Sequence, residues 1–147
     1  MVTIFKGKGK NSISKITDAG YPNIDIETVE KNSSWRLAIG DIVYIDEFGK
    51  RGDYKCLEAR GLSEIFYYAR LAPSWGNRQP WKFVVKRDGI ELYMRKDEMK
   101  EQTIKLEAGV MMLYFELASH ELGVPGKWKL NQEQDREEYY YIGLYQY

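Results

Sequence analysis

Residues 69–85 read ARLAPSWGNRQPWKFVV, and this stretch holds the chain's densest group of residues able to do chemistry. Pro73 and Pro80 pin a short loop with little conformational entropy left to lose. Between them, Ser74, Asn77 and Gln79 each carry a neutral polar group that can both donate and accept. Such groups suit the edge of a neutral heteroaromatic ring, where donors and acceptors alternate, better than a phosphate, which only accepts. Turn formation is an equally open reading of Asn77 and Gln79, because Asn tolerates the left-handed region and bonds to its neighbours.

The elements around the loop must position it. Asp53 can cap a helix, and Leu57, Gly61, Leu62, Ile65, Phe66 and Ala69 follow at helical spacing. Pro73 disfavours helical geometry at Ala72, which ends that helix near Leu71. After the loop, WKFVV and IELYMR are two β-prone runs, and Asp88-Gly89 between them is a hairpin turn. Residues 98–123 give the strongest helix pattern. Leu106, Val110, Leu113 and Leu117 form one stripe, and Ile104, Ala108, Met111, Phe115, Ala118 and Leu122 fill adjacent faces, which predicts a helix buried on many sides. Gly123 stops it, with Pro125 beyond. The Tyr-rich EEYYYIGLYQY predicts a final strand, and residues 35–47, rich in Ile, Val and Tyr, an extended segment. Residues 1–31 show no sustained period and read as irregular, with room for one short helix or strand. The expectation is an α+β fold, a small mainly antiparallel sheet packed on a long buried helix. Residues 1–46 form an irregular N-terminal region (a linker or a first-lobe remnant), and 47–147 the lobe.

Composition narrows the function classes. The chain has 147 residues, 44% of them hydrophobic, enough for a real core. Its 22 basic and 22 acidic residues balance, which argues against nucleic acid or an anionic membrane as main partner. One cysteine and one histidine leave no disulfide within the chain and almost no route to a structural zinc site. No apolar run is long enough to span a bilayer and no signal-peptide core is visible, so the expected location is cytoplasmic. Cys56 lacks a resolving partner, the Met111-Met112 pair reads as core filler, Trp81 as a core anchor, and His120 as a polar residue near a helix end rather than a catalytic acid.

RLAPSWGNRQPWKF resembles the APS-x-x-N-x-QPW segment of the nitroreductase family, the FMN-dependent NAD(P)H oxidoreductases. LEAGVMMLYFELASHELGVPGKW is similar to that family's long central helix and the Gly-x-x-Gly-x-Trp turn after it, and the Tyr-rich end is similar to its last strand. The nearest likeness is to the second lobe of the branch in which two lobes are fused in one chain. The resemblance implies that Pro73, Ser74, Asn77 and Gln79 lie at the flavin. Apart from the resemblance, electrostatic preference would let Arg78 place positive charge beside the N1–C2=O end of the reduced ring, an exposed surface Arg being an equally open reading. The resemblance also implies electron transfer from NAD(P)H through FMN to nitro or quinone-like acceptors, with no catalytic acid–base residue and no metal. The family's Arg-Arg-Ser-x-Arg cluster, which holds the FMN phosphate, has no counterpart here; Lys6, Lys8 and Lys10 lie among glycines without P-loop spacing. A partner lobe, a homodimer, or loss of flavin binding would each account for this, as would a partial gene product. The competing expectation is an incomplete nitroreductase-like lobe that acts only as a partner-dependent interaction domain.

Overall fold

The computed structural model describes residues 35–130 and 135–147 and, before them, three strands: β1 (Ile4–Gly7), β2 (Lys10–Ile13) and β3 (Thr28–Val29). The chain divides into two units, Met1–Trp35 and Arg36–Tyr147. In the first, β1, β2 and β3 form an antiparallel sheet in that order, so this stretch is more strand-like than its composition suggests.

The second unit is α+β. Its elements are α1 (Ile39–Ile42), β4 (Val43–Ile45), α2 (Tyr54–Ala59), α3 (Ser63–Ala69), β5 (Trp81–Val85), β6 (Ile90–Arg95), α4 (Glu101–Glu121), β7 (Lys127–Lys129) and β8 (Tyr139–Gln146). Five strands make one mixed sheet in the order β4-β5-β6-β8-β7, antiparallel except for the parallel pair β4–β5. β5 and β6 are the expected hairpin, with Val85 paired to Ile90 and Lys86 N–H donating to Gly89 C=O at 2.8 Å. β7 had no signal in the sequence, because a three-residue KWK edge strand is too short to show a period.

Alternation sorts the sheet's two faces. Phe83, Val85, Leu92 and Met94 point into the main core with Leu57, Ile65, Phe66 and the buried side of α4. Phe115 is the hub of that core. Its ring centroid lies 5.5 Å from Phe66, 5.5 Å from Phe83, 5.6 Å from Trp128 and 5.1 Å from Tyr145. The opposite face carries a small aromatic cluster: Tyr93, Tyr141, Tyr44, Phe48 and Tyr139 around Val84. The Arg136 guanidinium sits over Phe48 at 4.5 Å and over Tyr93 at 5.3 Å, a cation–π contact that closes the cluster.

Burial, with Glu91 and Tyr93 beside it, pushes the Tyr141 hydroxyl up to about 12. Burial also raises Tyr93 and Tyr44 above their ordinary value. A phenol held protonated in the fold contributes stability that is complete below the unfolded value near ~10 and is lost as pH rises through the folded value. Stability is therefore expected to fall between pH ~10 and about 12. Ultraviolet tyrosine titration beside alkaline unfolding checks this; a protein whose tyrosines all ionise near ~10 with no loss of stability would refute it.

Three expectations are corrected. Residues 35–47 are not one extended segment: a helical turn, α1, precedes β4 and sends Ile42 into the core. Val43 N–H closes the turn on Ile39 C=O, and the Lys82 ammonium meets Asp41 C=O from outside the helix. The helix after Asp53 is two helices. Asp53 does cap α2, its carboxylate accepting from Cys56 N–H at 2.6 Å. Gly61 then takes φ +70°, with Gly61 N–H to Glu58 C=O and Leu62 N–H to Leu57 C=O, both 2.9 Å. This is a Schellman closure, which only a glycine adopts freely; α3 restarts from buried Leu62. Gly123 closes α4 in the same way, at φ +76°.

The third correction concerns α4. Ile104, Ala108, Met111, Phe115 and Ala118 are buried, but the stripe expected beside them faces outward: Leu106 is 71%, Leu113 56% and Leu117 57% exposed. The sheet packs against one side of the helix only, and among the described residues no element covers the other.

Candidate functional site

The Pro-pinned loop leaves α3 and returns to β5 along a strained path. Leu71 and Ala72 N–H close the helix end on Tyr68 and Ala69 C=O, each at 3.0 Å. Ser74 is extended, and residues Trp75–Asn77 form one 3-10 turn closed by Asn77 N–H to Ser74 C=O at 3.0 Å. Gly76, Asn77 and Gln79 then take φ +58°, +57° and +49°. Glycine adopts this region freely and Asn with little strain, whereas for Gln it costs about 1 kcal/mol.

Gln79 is held there by its bonds. Only 2% of it is exposed. Its N–H donates to Ser74 Oγ at 2.9 Å. Its side-chain Nε2 donates to Asn77 C=O at 3.3 Å and to Asn77 Oδ1 at 3.2 Å. Its Oε1 accepts from Leu37 N–H at 2.8 Å. Arg36 adds a second strap, donating to Asn77 Oδ1 and, at 3.4 Å, to Leu71 C=O. Arg70 returns the link by donating to Leu37 C=O at 3.3 Å while lying over the Tyr67 ring. The segment carrying Arg36 and Leu37 is thus part of the loop's framework, forty residues away in sequence and without a motif to announce it.

Glu107 is the other missed residue. It is buried in the middle of α4, where the helical pattern marked only a polar interruption. Its Oε1 accepts from Trp75 N–H at 2.5 Å, a charge-assisted bond that fastens the loop's turn to α4.

Each expected site residue now has a place. Pro73 is exposed at the loop's entrance. Ser74 is half-buried, its oxygen accepting from Gln79, which leaves the hydroxyl proton to donate. Asn77 is half-buried and joins Arg36 to Gln79. Arg78 is ion-paired with Asp97, so its charge is already answered. Gln79 is the internal brace. Trp75, on a variable position of the motif, is 72% exposed and presents an open aromatic face.

Among the described residues no group of three His, Cys, Asp or Glu side chains could hold a metal. Cys56 is a half-buried free thiol, and His120 is exposed near the end of α4. No helix among the described residues is long and apolar enough to cross a membrane. Trp81 is fully buried and so is Met111, with Met112 packed against the same core.

No family model, curated protein or solved structure matches the chain. The chemistry of the loop therefore has to be judged on its own donors. The Ser74 hydroxyl, the Asn77 side chain and the face of Trp75 fit the edge and plane of a flat heteroaromatic ring. The braced Gln79 and the paired Arg78 do not reach outward to one. Nothing described here fits the doubly charged phosphate of FMN, since Arg36 and Arg70 are engaged with loop and backbone acceptors.

Proposed function

We propose that this chain is one lobe of an FMN-dependent oxidoreductase of nitroreductase type, completed by a second lobe. The observation that carries this reading is the braced loop. Strain at Gln79, the Arg36 strap and the Glu107 anchor hold Ser74, Trp75 and Asn77 in one fixed conformation beside the uncovered face of α4. Holding donors in place before a ligand arrives removes the ordering cost from binding. When bound, FMN supplies the redox chemistry, taking hydride from NAD(P)H and passing electrons to nitro or quinone-like acceptors. In this reading the chain's own residues do less. Ser74 donates to a ring acceptor, the Asn77 amide is held at the ring edge by Arg36 and Gln79, and Trp75 covers the ring and keeps water from it. The phosphate is held by cations from the second lobe.

A second reading has its own support. Because the Gln79 amide is spent inside the loop, the same bracing also suits a lobe that only docks to a partner. Titration of the purified chain with FMN separates the two. Binding is expected to give absorption bands near ~370 and ~450 nm on the protein after gel filtration. Asn77→Gly, which keeps the left-handed backbone, should weaken retention by about 1–3 kcal/mol. The ring contacts are this chain's own, so a protein that stays colourless with excess FMN and with excess riboflavin, which asks nothing of a phosphate site, refutes the oxidoreductase reading and leaves the docking lobe.

A further inference from the structure

At one end of the sheet's second face, four neighbouring strands each present one polar side chain. Residues in phase with Val84 and Tyr93 turn away from the main core, and these include Tyr44 on β4, Lys82 on β5, Arg95 on β6 and Tyr139 on β8. Arg95 is paired directly with Tyr139. Lys82 is paired with Tyr93, which makes Arg95 its diagonal neighbour, a separation that long side chains span. Phe48 packs against both phenol rings, its centroid 4.8 Å from Tyr44 and 4.9 Å from Tyr139. The charges of this row do not balance. The carboxylates flanking it, Asp41 and Asp97, are taken up by Arg51 and Arg78. Lys82 spends one of its hydrogens on Asp41 C=O. The Arg95 guanidinium and the Tyr44 and Tyr139 hydroxyls have no hydrogen-bond or ion-pair partner among the described residues. Burial and the nearby Arg95 pull the Lys82 ammonium below its ordinary value, which Asp41 offsets only in part. A half-buried ammonium beside an unanswered guanidinium costs stability until an anion joins them.

We propose that this row, Tyr44, Lys82, Arg95 and Tyr139, binds the phosphoryl group of a small phosphomonoester. Two cations are left unanswered, and a phosphomonoester near neutral pH carries close to two negative charges. The guanidinium fork matches two phosphoryl oxygens, the ammonium adds a point charge, and the two phenols add two more donors. A site built of donors suits a group that only accepts, in contrast to the loop, where donors and acceptors alternate. A carboxylate, with two oxygens and one charge, leaves half of the row unused. The chain's balance of 22 basic and 22 acidic residues keeps the positive charge local, which favours a small ligand over a long polyanion. The row looks away from α4, across the sheet from Glu107 and the Trp75 turn that Glu107 fastens, so it does not hold the phosphate of a ring seated at the loop. The site is independent of the oxidoreductase reading.

Phosphorus NMR and calorimetry with inorganic phosphate on the full chain test it, at low ionic strength because salt screens exposed charges. The expected result is one saturable site per chain with a dissociation constant of ~1 mM or below. Arg95→Gln and Lys82→Met should each weaken binding by about ten-fold or more. Lys127→Gln, which removes an equal charge from the sheet's far edge, should change it by less than about two-fold. Arg95 is exposed, so its replacement reads the site even where Lys82→Met disturbs the fold. Acetate should bind about ten-fold more weakly than phosphate or worse. A chain with no saturable phosphate binding at ~10 mM overturns the proposal. Binding indifferent to Arg95→Gln overturns it as well, since the anion then sits elsewhere. Equal affinity for acetate overturns the phosphoryl assignment. Riboflavin, which has no phosphate, reports the loop, and inorganic phosphate, which has no ring, reports the row, so the two readings fail separately.

Discussion

Phe115→Ala is expected to destabilise the second unit by about 3–5 kcal/mol, the largest effect of any single truncation in this chain. The side chain is fully buried, and four aromatic rings pack around it from α3, β5, β7 and β8. Removing the ring loses its transfer free energy and leaves a cavity whose walls are rigid aromatics on four different elements. Such walls collapse poorly, which puts the cost at the upper end for a large-to-small change. Because Phe115 joins α4 to the sheet, the loss should appear as a lower urea midpoint with an unchanged slope. Leu113→Ala, two residues earlier on the outer face, should change the stability of the monomer by less than ~0.5 kcal/mol. Equal effects at the two positions would show that the division of α4 into a core side and an outer side is wrong.

That division marks where the sequence stopped being informative. Helical spacing identified α4 and its end at Gly123, because periodicity and a left-handed closing glycine are local properties. It could not say which of two apolar faces meets the sheet, since Leu106, Val110, Leu113 and Leu117 are as apolar as Ile104, Met111 and Phe115. Burial depends on what the rest of the chain provides, and this unit provides a sheet for one face only. The break at Gly61 was hidden for a related reason: Leu57, Leu62, Ile65 and Phe66 keep a helix-like spacing across it, although the chain reverses its hand for one residue. The loop was conspicuous through Pro73, Asn77 and Pro80, but its bracing was not. Arg36, Leu37 and Glu107 reach it from distant positions through one guanidinium, one backbone N–H and one carboxylate, and single residues of that kind carry no pattern.

Gln79→Ala is the second large effect, expected at about 2–3 kcal/mol. Truncation strips Leu37 N–H of its acceptor and removes the Nε2 bonds to Asn77, all made by a side chain only 2% exposed. A buried donor left without a partner costs about 1–3 kcal/mol, more than the bond itself contributes. The alanine also inherits the φ of +49°, so the strain stays while the bonds that held it are gone. Gln79→Gly should therefore be about 1 kcal/mol less damaging than Gln79→Ala, since glycine relieves the left-handed backbone while losing the same hydrogen bonds. The order wild type, then Gly, then Ala is an unusual one for a buried site, where glycine ordinarily does worse than alanine. Urea unfolding of the three proteins, with a double-mutant cycle to Asn77→Gly, measures both parts. If alanine proves the milder substitution, backbone strain has no part in shaping the loop. If the cycle shows no coupling, Gln79 and Asn77 do not act as one unit, and the account of a preformed loop loses its centre.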